Sequence, residues 1–303
     1  MKSHCRRYRL SPRTAALAVA GAVVLLSACQ GQRPVADQPA APLMAPAALA
    51  PPVITRDRSQ GDALAGDHIR LLVWNVHKGS DDEWIGDFRT MAADSNLVLL
   101  QEAHLHDEFT SGLVGLPRWD LVQAWRWKRV PTGVLTASDA APLRVHALEA
   151  REPLLRTDKS ALLTEYRLAG SEQSLLVANV HAINFTVDTR AFRAQLAAVA
   201  ELIAAHDGPA ILSGDLNTWR DARRQIVQEF VAQLQLQEVA FDGPRKQFGR
   251  FPLDHVYYRG LELLSSEVPA VGSSDHNPLL VTFRHPAATT LAQLSPDATG
   301  ISP

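Results

Sequence analysis

SSDHNPLLVTF, residues 273–283, joins two unlike halves. Leu279-Leu280-Val281-Thr282-Phe283 is an apolar, β-favouring run of the buried-strand type. Ahead of it, Asp275 sets a carboxylate beside the His276 imidazole, and Pro278 restricts pairing just before the strand. The same arrangement recurs along the chain, with a short apolar run that begins or ends in a residue fit for metal or acid/base work. Asn75 closes IRLLVWNV (69–76), Glu102 closes LVLLQE (97–102) and His181 lies at the end of SLLVANVHA (174–182). Asp215 and Asn217 follow AILSG in SGDLNTW (213–219), and Asp254 opens DHVYYRG (254–260). Each has a plain reading when taken alone. GDLN suits an Asx turn, Glu102 a solvated strand-end charge, His181 a satisfied structural histidine and Asn75 a turn cap.

Further β-type runs cover 119–125, 133–138, 143–149, 161–168, 210–215, 237–241 and 261–267. Helices are predicted over 82–93, 187–206 and 219–234. The middle one carries Phe192, Leu196, Val199 and Ile203 at three- and four-residue steps, a packing face. Many strands with few helices predict two sheets packed face to face and covered by helices. Neither a GxGxxG nor a Walker loop supports a nucleotide-fold sheet.

The ends read differently. Residues 1–13 hold Lys2, Arg6, Arg7, Arg9 and Arg13 without an acid, and 15–28 are almost wholly apolar. That run is short for a bilayer-crossing helix, which needs ~20 residues; basic, apolar and small segments in this order make an export signal. LSAC (26–29) resembles a bacterial lipobox, which implies a lipoprotein signal peptide over 1–29 and lipidation of Cys29. Gln30 after the cysteine suggests sorting to the outer membrane, on its periplasmic side. Residues 30–66, rich in Ala and Pro, read as a disordered tether. The tail, 286–303, reads likewise, which leaves 67–285 as one domain. The only cysteines, Cys5 and Cys29, build neither a disulfide framework nor a thiolate zinc site. The signal holds five of 30 basic residues and none of 32 acidic ones, so the remainder carries 25 against 32, a balance of about −7. A general nucleic-acid binder carries a basic surface; this composition shows none, though it leaves room for a local patch.

In order, N-x-H-K, Q-E, N-x-H, G-D-x-N, L-D and S-D-H-x-P resemble the endonuclease/exonuclease/phosphatase (DNase I-like) superfamily across 69–284. NVHAINF, GDLNTW, PLDHVYYRG and SDHNPLL are similar to its bacterial YafD-like branch. The resemblance implies an α/β fold, a four-layer αββα sandwich of two packed mixed β-sheets flanked by helices. It also implies a phosphoester hydrolase using Mg²⁺ or Mn²⁺. Carried over residue by residue, Glu102, Asn75 and Asp275 are expected at the metal. Asp215 and Asn217 are expected to handle the attacking water, His276 to contact the scissile phosphate, Asp254 to orient His276, and His181 to join them. His77, His104 and His255 neighbour these residues but fall on alternate faces and are left outside the set.

The substrate stays open. A tethered phosphodiesterase or nuclease of the cell envelope is expected first. A lipid-directed phosphodiesterase of sphingomyelinase or phospholipase C type is the alternative, and a non-catalytic envelope lipoprotein the third reading. Partners are accordingly a nucleic acid or phospholipid headgroup, and the membrane through Cys29; the chain is expected to be a monomer. RWDLVQAWRWKRVPTG (118–133) could stack bases, meet lipid, or form a strand with an aromatic core face. Arg220, Arg223 and Arg224 could clamp phosphate or form a wet helix face, and Lys78 could reach a phosphate or stay solvated.

Overall fold

The computed structural model describes residues 51–57, 61–113, 116, 118–154 and 157–286. The expected signal peptide, Cys29, most of the tether and the tail after residue 286 lie outside the described residues. In chain order the elements are β1 (Val53–Asp57), β2 (Ile69–Asn75), α1 (Trp84–Ala92), β3 (Leu97–His104), α2 (Asp107–Gly112), β4 (Arg118–Trp127), β5 (Val130–Ser138), β6 (Arg144–Ala150), β7 (Lys159–Arg167) and β8 (Ser174–His181). They continue as α3 (Arg190–Ala204), β9 (Ala210–Asp215), α4 (Asp221–Gln233), β10 (Gln237–Glu238), β11 (Gln247–Phe248), β12 (Phe251–Pro252), β13 (Asp254–Arg259), β14 (Glu262–Glu267) and β15 (Leu279–Arg284).

Alternation along the strands builds the layers. In β2, Leu71 and Val73 face one way and join Leu97, Leu99, Val281 and Phe283 against Tyr166, Val177, Ile211 and Val256 of the other sheet. Leu72 and Trp74 face the opposite way and pack with Trp84 and Phe88 of α1 and Phe109 of α2. Burial on both faces goes with the unbroken apolar stretch from Leu71 to Trp74. The second sheet repeats the plan, with Leu163, Ala178 and Leu212 packed under Phe192, Leu196, Val199 and Ile203 of α3 and Ile226 of α4. The result is helix, sheet, sheet, helix.

One sheet has seven strands in the order β1-β4-β5-β3-β2-β15-β14, and the other six in the order β10-β13-β9-β8-β7-β6. Both are mixed. The pairs β2·β3 and β8·β9 are parallel, while β15 runs antiparallel to β2 and β13 antiparallel to β9.

The structure revises the boundaries. The tether expected through residue 66 ends earlier, because Val53–Asp57 pairs with β4 from Val122 to Arg118 and Leu64 is buried in the core. The Val-Ile-Thr run of β1 is short and follows Pro51 and Pro52, so its β preference is obscured by the Pro-rich context. The run 237–241 shortens to Gln237–Glu238. Helix α2, not expected, is too brief for a period; it is capped by His106, whose ring accepts the Phe109 N–H at 3.3 Å.

Candidate active site

Strand direction gathers the polar ends at one rim. Parallel pairing sets Asn75 level with Gln101 and His181 level with Asp215. Antiparallel pairing sets the first residue of β13, Asp254, level with the last of β9, Asp215. Because β15 is antiparallel to β2, the turn before it folds over the end of β2. There Ser274 Oγ donates to the Asn75 carbonyl at 2.7 Å, and Trp74 Nε1 donates to the His276 carbonyl at 2.8 Å. Ser274 Oγ also accepts the His276 N–H at 3.2 Å.

Two local distortions aim side chains. The β3·β5 register shifts between Leu100 and Ala103, a bulge in which Glu102 takes φ 54°. Asn217 takes φ 50° and is fixed by its N–H on Asp215 Oδ1 at 3.1 Å and its side-chain amide on the Ala182 carbonyl at 3.0 Å. Left-handed backbone at a residue with a Cβ costs about 1–2 kcal/mol, and such strain collects at functional sites.

Side chains from the two sheets meet across the seam. Asn75 Nδ2 donates to Asp215 Oδ2 at 3.1 Å, and His276 Nδ1 donates to Asp254 Oδ2 at 2.7 Å. His181 Nε2 lies 3.5 Å from Asp215 Oδ2. Asn75, His181, Asp215, Asn217, Asp254 and His276 are all buried. Burial alone would disfavour the His276 imidazolium, but Asp254, with Asp215 and Asp275, outweighs it and raises His276 to about 9. Burial, reinforced by Asp254 and opposed by His276, raises the Asp215 carboxyl to about 6.

Glu102 accepts from the Lys78 ammonium, so Lys78 is an ion-pair partner here and not a solvated side chain. Asp275 is half exposed and takes Lys246 Nζ at 3.3 Å. The expected metal residues thus lie around the seam with separate partners. Among the described residues, Asp215, Asp254 and His276 form the group whose donor atoms all fall within 4.8 Å of one another. Asp254 Oδ1 is buried without a hydrogen-bond partner. His276, protonated and paired with Asp254, has no ring nitrogen to offer a cation; the residues expected at the metal, Glu102, Asp275 and Asn75, bring two carboxylates and an amide oxygen without thiolate, donors that fit a hard divalent cation such as Mg²⁺ or Mn²⁺.

Lys159, the first residue of β7, was missed by the sequence reading. It is buried, and its Nζ donates to His181 Nε2 at 2.7 Å. Burial pulls the ammonium below its ordinary range, against the pull of Glu102, Asp215 and Glu152. His181 is held well below the usual imidazole range, first by burial and then by the charges of Lys159, His276 and Lys78. It is therefore a neutral acceptor. A lysine heading an apolar run was the available signal, since lysine is almost never buried without a partner.

The aromatic and basic candidates divide. Trp119 packs in the core, Trp125 stands edge-on to His181 with centroids 6.5 Å apart, and Trp127 is exposed. Arg223 is fully buried and not a substrate clamp. It donates to the carbonyls of Ile183, Asn184 and Asn217 at 2.5, 2.6 and 3.1 Å and to Thr186 Oγ1 at 3.0 Å. It thereby ties the loop after His181 to Asn217. Burial, with Arg220 nearby, lowers its guanidinium to about 10.

The chain is 41% identical over 219 residues to the UPF0294 protein VP2298 of Vibrio parahaemolyticus, covering 71% of this chain and 77% of that protein. The catalytic domain of human Nocturnin, solved with a bound sulfate, superposes with a TM-score of 0.58 at 19% identity, over 78% of this chain and 99% of that one. An endonuclease/exonuclease/phosphatase from Beutenbergia cavernae gives 0.54 at 16% identity, over 72% of each chain. At these identities both likenesses speak to the fold, the expected DNase I-like sandwich. The sequence pattern of the Endonuclease/Exonuclease/phosphatase family matches residues 72–276, more than half of the chain. Pattern and fold agree, and the chain belongs to the endonuclease/exonuclease/phosphatase family.

Proposed function

We propose that the chain is a divalent-metal-dependent phosphodiesterase of nuclease type, of the YafD-like branch, held at the periplasmic face of the outer membrane through a lipid on Cys29. The observation that carries the hydrolase reading is the seam itself, where Asn75–Asp215 and His276–Asp254 join buried groups of two sheets. A buried acid/base set of this size is costly unless it is used.

In this reading Glu102, Asn75 and Asp275 hold Mg²⁺ or Mn²⁺, which when bound supplies charge neutralisation at the phosphoryl oxygens. Asp254 orients the His276 ring and favours its imidazolium, so His276 donates to the scissile phosphate. Asp215 takes the proton of the attacking water, which Asn217 orients. Its raised carboxyl, at about 6, is still ionised at neutral pH and is a stronger base than a solvated aspartate. Neutral His181, backed by Lys159, accepts a hydrogen bond and adds no charge of its own. Lys159 brings positive charge to the same wall of the site.

The loop after β8 exposes Phe185 and Val187, and β11 exposes Phe248. Phe248 stands 6.1 Å from Trp219, which donates to Asn184 Oδ1 at 2.9 Å. This apolar margin favours the lipid-directed reading as the alternative, in which these side chains rest on a bilayer near the substrate headgroup.

Plasmid DNA, single-stranded DNA, RNA, a sphingomyelin analogue and bis-p-nitrophenyl phosphate, each with and without Mg²⁺ and Mn²⁺, discriminate the readings. The protein to use is the chain from residue 30 onward, which retains β1. Metal-dependent cleavage that Glu102→Gln abolishes is expected. Cleavage of lipid alone promotes the alternative, and no metal-dependent cleavage of any substrate overturns the hydrolase reading. Tethering is tested separately by Cys29→Ser, which should move the full-length protein out of the membrane fraction.

A further inference from the structure

Adjacent residues of β13 face opposite ways. Asp254 serves the seam, and His255 looks outward under α4. His255 is buried, and its ring is held on every side. Nε2 lies 2.7 Å from Thr218 Oγ1 and 3.2 Å from the Pro252 carbonyl, and Nδ1 lies 3.0 Å from Glu238 Oε1 and 3.2 Å from the Tyr257 hydroxyl. Tyr257 stacks on it with centroids 5.5 Å apart. This group forms part of the wall of a pocket of about 430 Å³, within the range of small-molecule sites.

Three guanidinium groups line that pocket from three separate segments. Arg224 comes from α4, Arg245 from the loop before β11, and Arg250 from the β11–β12 turn. Among the described residues, Glu238 is the single carboxylate of the lining, and it stands 4.0 Å from Arg245. Arg250 meets Asp221 outside the pocket in a pair exposed by about 70% at both ends, a contact of small worth that a ligand can replace. Among the described residues, no hydrogen bond or ion pair holds the Arg224 guanidinium. The lining therefore carries two more positive charges than negative ones, on a chain whose formal balance is −2.

We propose that this pocket, behind the reacting seam, binds a phosphate monoester dianion. Guanidinium forks match phosphate oxygens in pairs, and two surplus positive charges match a dianion better than a diester monoanion. The space exceeds a bare phosphate, and Phe241, over which Arg245 lies at 5.4 Å, offers an aromatic wall to the organic remainder. The arginine-bearing loop also touches the active turn, since Arg245 Nη1 reaches the Asp254 carbonyl at 3.5 Å and Lys246 reaches Asp275.

Calorimetric titration of phenyl phosphate into the metal-free full-length protein tests this, with inorganic phosphate and diphenyl phosphate as further probes. One site is expected to take phenyl phosphate, to take diphenyl phosphate more weakly, and to survive His276→Gln. Arg224→Gln, which breaks no hydrogen bond or ion pair among the described residues, should weaken it about tenfold, the effect of one charge-assisted contact. Arg224→Gln/Arg245→Gln should abolish it with an unchanged far-ultraviolet circular dichroism spectrum. Undiminished binding to Arg224→Gln overturns the proposal, as does binding lost in His276→Gln alone, or no binding at millimolar phenyl phosphate. Binding of inorganic phosphate with equal strength would remove the organic remainder from the assignment and overturn the monoester class. None of these outcomes depends on hydrolysis.

Discussion

Asp254→Asn keeps a side chain of nearly the same shape against His276 and removes its charge. In the native chain the contact is 2.7 Å long, with both side chains under a tenth exposed. His276 stands at about 9 against an ordinary 6.5, a difference of roughly 2.5 units, equivalent to about 3 kcal/mol. The pKa is raised, so the folded state binds this proton more tightly than the unfolded one. That stabilisation is complete below pH 6.5 and is lost as pH rises through 9. With asparagine, burial still penalises the imidazolium, and Asp215 and Asp275 offset only part of that penalty. His276 should then titrate roughly two units lower. The ring can be followed by nuclear magnetic resonance in metal-free protein, assigned with His276→Gln, alongside urea unfolding at pH 6 and pH 9.5. Across that interval the native chain should lose about 3 kcal/mol and Asp254→Asn only about 0.5 kcal/mol. A His276 resonance that still titrates near 9 in Asp254→Asn, or native and variant stabilities that fall in parallel, would refute the reasoning.

Glu102→Gln should lower metal-dependent turnover by about two orders of magnitude or more while leaving the circular dichroism spectrum unchanged, as steady-state kinetics would register. Lys159→Met should raise the His181 pKa, since one of the charges holding it down is gone, and should lower kcat; an unmoved His181 titration counts against the Lys159 contact. Arg223→Met leaves three carbonyls and a hydroxyl without their donor, and should cost about 3 kcal/mol or more in urea unfolding. Gly214→Ala would set a Cβ 2.1 Å from the Val180 carbonyl oxygen at φ +131°, so a comparable loss of stability is expected, read by thermal denaturation.

The strand ends were legible because each apolar run stops abruptly at a polar residue, as Leu100 gives way to Gln101 and Glu102. The α3 stripe was legible because Phe192, Leu196, Val199 and Ile203 keep helical spacing on one buried face. What the one-dimensional pattern concealed is burial of charge. Lys159 and Arg223 carry the same letters as solvated residues, and only the folded chain shows the carbonyls and the imidazole that receive them. The exclusion of His255 from the rim followed from strand alternation, but its neighbours Glu238 and Thr218 come from distant segments that no local pattern joins. Strand β1 was concealed for another reason. Its pairing partner, β4, supplies the backbone hydrogen bonds that its own short run cannot announce.

The hydrogen bond from Asn75 to Asp215, and the one from His276, in the turn leading into β15, to Asp254, each tie one half of the sandwich to the other. Turnover should consequently act as a vernier on how the halves of the sandwich are aligned. A conservative truncation deep between them, such as Val177→Ala, that let one half slide by a fraction of an ångström would be felt in the chemistry before it was felt in melting behaviour, because reacting groups tolerate less misplacement than apolar contacts do.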